Sequence, residues 1–301
     1  MKHTAGTWDR NDWPTYFVAS DVMHLFYASP CHDQLLVAVN ELESKSTIEV
    51  VRRLIDARKK VFIDSGVFAL STDHAKRHGI TMDQALSMAP DQVDGFNELF
   101  ERYVALMQEV GDKVWGYIEI DQGGRENKIK TRARLEALGL RPVPVYHPFN
   151  DGWDYFDHLA ENYDRICFGN VVQADSETRK RLLATAWERR RKYPHLWIHM
   201  LGMTSSEITT AYPINSCDSS TWLSGIRWGF HKSLVANRAA WRTGTGFLYK
   251  RGTLPESPTG WQAATLLAGY DAAMVKRTMH AIADEQRDVL GVDIGLFERT
   301  P

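Results

Sequence analysis

The sequence predicts an α/β protein, a (β/α)8 or TIM barrel, from three features of its 301 residues. Short apolar runs rich in β-branched and aromatic residues alternate with longer amphipathic stretches, which is typical of βα units and a parallel sheet. Seven or eight such units fill roughly 250 residues, the usual size of a barrel. Polar residues also follow several of the apolar runs, where barrel enzymes place their chemistry.

Each predicted strand is one of the short apolar runs, and each predicted helix is one of the amphipathic stretches. The predicted strands are 16–20, 60–64, 114–121, 141–147, 165–169, 196–201 and 214–218, with 246–250 as a candidate for the eighth. The predicted helices are 47–58, 91–110, 125–138, 155–163 and 176–193. Thr47 is the expected N-cap of the first helix. Gly139 is the expected stop of the third, because glycine readily ends a helix.

We expect a single domain over residues 1–301, with two additions to the barrel. Residues 219–255 form a basic and aromatic insertion late in the barrel. Residues 261–298 carry apolar side chains at helical spacing, for example at Ala264, Leu267 and Ala268, which predicts C-terminal packing helices without chemistry.

Composition limits the classes of protein to consider. A formal charge of -2 excludes a surface uniformly basic for nucleic acid, so such a surface would be a local patch. The cysteines Cys31, Cys167 and Cys217 are widely spaced and odd in number, which indicates a reducing compartment without a disulfide framework. The first residues lack a signal peptide, and no apolar run reaches about 18 residues. We expect a cytoplasmic protein without membrane contact.

Two aspartates stand at the ends of apolar runs and are the candidate catalytic residues. Asp64 closes one run and precedes Ser65 and Gly66, and Asp218 closes another and precedes Ser219. Two carboxylates at two strand ends suggest that one carries out covalent work and the other moves protons. The alternatives are a turn-forming aspartate at position 64 and a helix N-cap at position 218.

Four segments in order resemble the tRNA-guanine transglycosylase family. Asp-Ser-Gly-Val-Phe at 64–68 is similar to its Asp-Ser-Gly-Gly-Phe signature, and Cys-Phe-Gly-Asn at 167–170 to its glycine-bearing strand end. His-Met-Leu-Gly at 199–202 is similar to its His-x-x-x-Gly segment with one residue fewer, and Cys-Asp at 217–218 falls where the family has its nucleophile. The resemblance covers roughly residues 61–222.

The resemblance implies a role for each matching residue. Asp218 is implied as the nucleophile that attacks C1′ of a guanosine, and Asp64 as the general acid and base. The implied base-binding residues are Asp121 for the amidine edge, Phe68 and Leu201 for the purine faces, and Gly169, Asn170, Gly202 and His199 around them. For His199 a satisfied strand histidine is the open alternative, and His147 is a further candidate for the pocket lining.

The implied reaction resembles that of a retaining glycosidase, in which one carboxylate forms a glycosyl-enzyme intermediate and a second handles protons. The acceptor is a 7-deazaguanine instead of water. An apolar slot suits its flat ring, and a carboxylate suits its donor edge.

The chain departs from the tRNA enzymes in one respect that affects substrate and cofactor. Their zinc site, Cys-x-Cys-x-x-Cys with a later His, is missing after Asp218. The chain therefore resembles more closely a branch of phages and bacterial genomic islands that places 7-deazaguanines into DNA. We expect no metal or other cofactor, DNA and a 7-deazaguanine such as preQ0 as partners, and a homodimer or an accessory modification subunit. If phage-encoded, the protein acts in the host cytoplasm.

The alternatives are a tRNA-guanine transglycosylase, a catalytically inactive nucleic-acid-binding barrel that acts with a partner, and a sugar hydrolase. The nucleic-acid interpretation depends on the segment between Asp218 and Glu256, which has no acidic residue. Cations for phosphates and flat rings for bases suit a single strand or a flipped nucleotide. The candidate nucleic-acid-binding residues are Arg227, Lys232, Arg238, Arg242, Trp222 and Trp228. Two other basic runs, 125–134 and 189–192, are more typical of solvated helix faces.

Overall fold

The structure is a computed structural model that describes residues 15–29, 32–193, 195–203 and 214–220. Eight strands form one sheet in the order β4-β3-β2-β1-β8-β7-β6-β5. They are β1 (Thr15–Ala19), β2 (Gln34–Ala38), β3 (Lys60–Asp64), β4 (Gly116–Tyr117), β5 (Val145–Tyr146), β6 (Arg165–Phe168), β7 (Trp197–Met200) and β8 (Ser216–Ser219).

The sheet closes on itself. Strand β8 returns to pair in parallel with β1, which places Phe17 opposite Asp218. Between β4 and β5, a parallel bridge joins Ile118 to Val143, and the Val143 N–H donates to the Tyr117 carbonyl at 2.7 Å. Every strand thus contacts a neighbour on both sides, and the predicted α/β barrel is confirmed.

Helices connect most of the strands. They are α1 (Val22–Ala28), α2 (Lys45–Asp56), α3 (Val67–His78), α4 (Met82–Ser87), α5 (Phe96–Val110), α6 (Gly124–Ala137), α7 (Trp153–Asn162) and α8 (Ser176–Arg190). The prediction of Thr47 as an N-cap is wrong, because Ser44 caps α2 and Thr47 completes its capping box. Gly139 has a φ of 81°, in the left-handed region typical of a helix end, as predicted.

The candidate eighth strand at 246–250 lies outside the described residues. The eighth strand of the described sheet is β2, which was not predicted. Its run from Leu35 to Val39 is short, and periodicity alone does not separate a short apolar run from a buried helical turn. Helices α1, α3 and α4 were not predicted either. Except for Ser219 and Ser220, the predicted insertion at 219–255 and the predicted helices at 261–298 also lie outside the described part of the chain.

Two apolar clusters flank the strands. The larger lies between sheet and helices, and the smaller fills the barrel interior with Phe17, Leu36, Phe62, Trp115, Ile118, Val143, Val145, Cys167 and Trp197. Because alternate strand residues share a face, Asp64 points inward with Phe62, and His199 with Trp197. The interior is therefore a packed apolar floor below a polar upper layer. Among the described residues, no helix is long and apolar enough to cross a membrane.

Candidate active site

The predicted site residues gather at one end of the barrel, because parallel strands present their carboxyl ends at the same rim. The rim residues are Asp64 at the end of β3, Asp121 after β4, His147 after β5, Gly169 and Asn170 after β6, Leu201 and Gly202 after β7, and Asp218 within β8.

One oxygen of Asp218 is firmly held. Its Oδ1 accepts hydrogen bonds from Nε2 of His199 at 3.1 Å and from the Gly202 N–H at 3.0 Å. The other oxygen, Oδ2, accepts no hydrogen bond from the residues that the structure describes. Asp218 is 7% exposed, so the carboxylate is recessed and oriented with one oxygen left for a ligand.

A hydrogen-bonded chain orients the histidine that holds Asp218. The Trp197 indole N–H donates to Oγ of Ser216 at 2.7 Å, and Nδ1 of His199 lies 2.8 Å from the same oxygen. Because an indole can only donate, Ser216 accepts from Trp197, and its own hydroxyl proton is available to Nδ1 of His199. His199 then donates from Nε2 to Asp218. His199 is buried, and both of its ring nitrogens are engaged in hydrogen bonds. Its role is therefore to position Asp218, as a strand histidine, and not to contact a base.

Asp64 has an environment that favours its protonated form. Burial, and then the charges of Asp121 and Asp218, raise the pKa of its carboxyl to about 7, against stabilising hydrogen bonds from the Ser65 and Gly66 backbone. The Ser65 N–H donates to Oδ1 at 2.9 Å. A carboxyl with a pKa near 7 can both give and take a proton under neutral conditions, which is what a general acid and base must do.

This pKa predicts that Asp64 costs stability above neutral pH. The fold binds the Asp64 proton more tightly than the unfolded chain, so its penalty grows as pH rises from about 4 to about 7 and is complete at pH 8. A pKa difference of this size corresponds to at most about 4 kcal/mol. Solvent at the half-buried carboxyl reduces the expected effect to about 1–2 kcal/mol.

Asp64→Asn, whose amide oxygen can still accept from Ser65, is therefore expected to be more stable than the parent by that amount at pH 8 and equal to it at pH 4. Urea denaturation at the two pH values measures the difference. Asp112→Asn, at an exposed aspartate between α5 and β4, is the matched control and should change neither. A variant without the pH 8 gain would show that Asp64 ionises freely in the fold.

Asp121 differs from Asp64 in its partner. Its Oδ2 lies 3.0 Å from Nε2 of His147. Burial opposes ionisation, but the hydrogen bond and charge of His147 and the charge of Lys128 together lower the pKa of Asp121. One rim carboxyl is thus partly protonated near pH 7 while its neighbour stays charged, the separation of roles expected of an acid and base site.

Gly169 makes the Asp121 contact possible. A Cβ atom at this position would lie 2.5 Å from both Cδ2 and Nε2 of the His147 ring. A larger residue would therefore push the imidazole away from Asp121. The need for glycine here is a close approach between side chain and backbone, in addition to any backbone contact with a base.

Two buried amide oxygens at the rim have no hydrogen-bond partner among the described residues, Oδ1 of Asn40 and Oδ1 of Asn170. Asn170 has a φ of 51°, which asparagine tolerates. Asn40 follows β2, and a Cβ on Gly66 would lie 2.7 Å from its Oδ1. Because burying an unpaired polar atom is unfavourable, these oxygens are candidate acceptors for a ligand N–H or O–H. Asn40 was not predicted as a site residue because strand β2, which it follows, was not predicted.

The two candidate base-stacking residues differ in exposure. Phe68, in the first turn of α3, is 64% exposed, and Leu201 packs partly against the apolar floor. An exposed ring two residues after Gly66 is a surface on which a flat ligand can stack.

The basic runs at 125–134 and 189–192 are only in part the solvated faces that were predicted. Lys130, Arg134, Arg191 and Lys192 are exposed, but three other cations are buried. Lys128 is fully buried, pairs with Asp151 and donates to the Val145 carbonyl at 3.0 Å. Arg132 is buried and donates to Oε2 of Glu119 at 2.8 Å. Arg190 is buried and donates to the Leu196 carbonyl. These three buried cations belong to the interior of the barrel and are inaccessible to nucleic acid.

The candidate nucleic-acid-binding residues lie outside the described residues. They are Arg227, Lys232, Arg238, Arg242, Trp222 and Trp228.

The buried cysteines have no role as thiolates. Burial, followed by the charges of Asp218, Asp64 and Asp121, raises the pKa of Cys167 well above its usual value. Burial and then Asp218 likewise raise the pKa of Cys217. Because the thiolate is the nucleophile, neither cysteine is suited to attack. The charges of all three aspartates act on Cys167, so the three carboxylates lie near this residue at the same end of the barrel.

Comparison with known proteins gives similarities of fold. No family model and no curated protein matches the chain. A 4-hydroxy-2-oxoglutarate and 2-dehydro-3-deoxyphosphogluconate aldolase is 10% identical with a TM-score of 0.43, over 90% of this chain and all of that chain. A 2,3-dimethylmalate lyase of the PEP mutase/isocitrate lyase superfamily is 12% identical with a TM-score of 0.39, over 90% of this chain and 94% of that chain. Neither description mentions transglycosylation.

Proposed function

We propose that the protein is a DNA-guanine transglycosylase that exchanges guanine for a 7-deazaguanine through a covalent bond between C1′ and Asp218. The observation that carries the proposal is the pair of unlike carboxyl groups at one rim. Asp218 is held by one oxygen, while its other oxygen accepts no hydrogen bond from the described part of the chain, and Asp64 has a pKa of about 7. A nucleophile needs the first environment, and a proton carrier needs the second.

In the first half of the proposed reaction, Oδ2 of Asp218 attacks C1′, the bond from C1′ to the guanine nitrogen breaks, and the leaving guanine takes the Asp64 proton. In the second half, the ring N–H of the 7-deazaguanine gives its proton to Asp64. The resulting nitrogen anion attacks C1′ and releases the Asp218 carboxylate. Protons balance over the cycle, and two displacements retain the configuration at C1′.

The surrounding residues supply candidate contacts to both bases. The charged Asp121 can accept hydrogen bonds from the N–H donors of the amidine edge, which guanine and 7-deazaguanine share. The oxygens of Asn40 and Asn170 can accept further donors from base or sugar. Phe68 offers a ring for stacking. Buried, directed acceptors of this kind discriminate strongly against ligands that lack the matching donors.

The choice of DNA over tRNA rests on the sequence beyond the barrel strands. No cysteine follows Cys217 in this sequence, so it does not contain the Cys-x-Cys-x-x-Cys motif of the tRNA enzymes. The acid-free stretch after Asp218 instead interleaves six basic residues with aromatic ones, namely Arg227, Lys232, Arg238, Arg242, Lys250 and Arg251. That composition suits a flipped or single-stranded nucleotide.

Incubation of the full chain with radiolabelled preQ0 and either duplex DNA, single-stranded DNA or tRNA tests the proposal. We expect label to enter DNA, and to be lost with Asp64→Asn. Label in tRNA alone would overturn the choice of DNA and leave the chemistry standing. No incorporation, together with salt-dependent DNA binding, would favour the inactive barrel that acts with a partner.

A further inference from the structure

A cluster of metal-ligand side chains lies away from the candidate active site, at the far end of α3. His74 and His78 stand one turn apart on this helix, with ring centroids 4.2 Å apart, and Asp94 precedes α5 beside them. One potential ligand atom from each residue lies within 4.8 Å of the other two. His78 is the last residue of α3, about 17 Å from its start near Asp64 by helical rise.

We propose that His74, His78 and Asp94 form a binding site for a divalent transition metal, with Zn²⁺ as the best match. Two imidazole nitrogens and one carboxylate oxygen are donors that Zn²⁺ prefers. Histidines at i and i+4 lie on the same face of a helix and can reach one ion. Three protein ligands leave a fourth position for water.

The present distances are close to those that a metal needs. In tetrahedral coordination with bonds of about 2.0–2.2 Å, ligand atoms lie about 3.3–3.6 Å apart. Nδ1 of His74 is 3.5 Å from Oδ2 of Asp94, which already fits. Nε2 of His78 is 2.7 Å from the same oxygen, in a hydrogen bond. Metal bonds would replace this hydrogen bond and open the separation by about 0.6–0.9 Å.

The cluster combines a fixed ligand with two accessible ones. His74 is buried, and its Nδ1 accepts the Asp94 backbone N–H at 3.2 Å, a long hydrogen bond that a metal would replace. His78 and Asp94 are half exposed, with side-chain exposures of 49% and 44%, so an ion can enter from solvent. Metal binding therefore requires loss of the hydrogen bond from the Asp94 backbone N–H to His74 and a small rearrangement of the exposed His78 and Asp94 side chains.

Arg77 is the competitor for this site. Its Nη1 lies 2.9 Å from Oδ2 of Asp94, and its side chain is 54% exposed. A metal must displace the guanidinium from that oxygen, and the exposed arginine can move into solvent. This competition distinguishes a metal site from a simple ion-pair network, because removal of Arg77 should strengthen metal binding and would merely weaken a network.

Calorimetric titration of the metal-free full chain with Zn²⁺ tests the proposal without reference to the transglycosylase reaction. We expect His78→Gln and Asp94→Asn each to weaken one Zn²⁺ equivalent at least tenfold, and Arg77→Gln to tighten it several-fold. His158→Gln, at an exposed histidine on α7, is the matched control and should change nothing. The exposed positions are chosen because substitution of the buried His74 could unfold the chain, and circular dichroism verifies the fold of each variant.

Absence of Zn²⁺ binding would overturn the proposal, as would binding that persists unchanged in both His78→Gln and Asp94→Asn. Co²⁺ in place of Zn²⁺ gives an independent readout. The visible absorption of tetrahedral Co²⁺ should appear in the parent and in Arg77→Gln, and it should be missing in His78→Gln.

Discussion

Asp218→Asn is expected to abolish base exchange, with a loss of at least about 10³-fold, and to eliminate the covalent adduct with DNA. The carboxamide oxygen can still accept hydrogen bonds from His199 and from the Gly202 N–H, so the barrel is retained. The amide nitrogen then stands where Oδ2 was, and it is not a nucleophile. A denaturing gel of labelled DNA incubated with each protein measures the adduct directly.

The matched control for this experiment is Asp112→Asn, which removes one exposed carboxylate from the loop between α5 and β4. It should exchange bases and form the adduct like the parent. An adduct that persists in Asp218→Asn would refute the assignment of the nucleophile. Loss of the adduct in both variants would instead point to a general effect of charge on DNA binding.

Lys128→Met is expected to destabilise the fold by about 3–5 kcal/mol, the usual range when one partner of a buried ion pair is removed. Lys128 and Asp151 are both fully buried. Without the ammonium group, the Asp151 carboxylate stays in the core. Its remaining hydrogen bond is the one that Oδ2 accepts from the His147 backbone N–H at 2.7 Å. Urea denaturation at neutral pH measures the loss of unfolding free energy.

Lys130→Met on the same helix is the matched control, because Lys130 is exposed. Its expected effect is below about 0.5 kcal/mol, as for most surface substitutions. If both variants lost the same stability, the Lys128 ion pair would contribute nothing specific. The double change Lys128→Met with Asp151→Leu should recover part of the loss, since it removes the uncompensated charge as well.

The fold was predictable where its signal is local. Runs such as Val61 to Ile63 and the stop at Gly139 can be read within a few residues of sequence. Strand β2 was missed because periodicity alone does not separate its apolar run from a buried helical turn. Strands β4 and β5 are regular over only two residues each, within much longer predicted runs. Closure of the barrel through Ile118 and Val143 depends on the register of two strands, which no local pattern specifies.

From the sequence, the only site residues that could be predicted are polar residues at the end of an apolar run. Asp64 and Asp218 follow that rule. The role of His199 depends on Ser216, and the burial of Lys128 depends on Asp151, so each needs a partner remote in sequence. The pair His74 and His78 did have a local signal, its i and i+4 spacing. The third ligand, Asp94, is brought to it by the turn of chain through α4, which was not predicted.

The pairing of the first strand with the last has a consequence for biosynthesis. Phe17 meets Asp218 only after roughly two hundred further residues have left the ribosome. Until then the barrel cannot close, and Asp64 lacks Asp218, one of the two neighbouring charges that raise its pKa. Synthesis halted before residue 216 would therefore yield a fragment with most of its strands but without the carboxylate that we propose as the nucleophile.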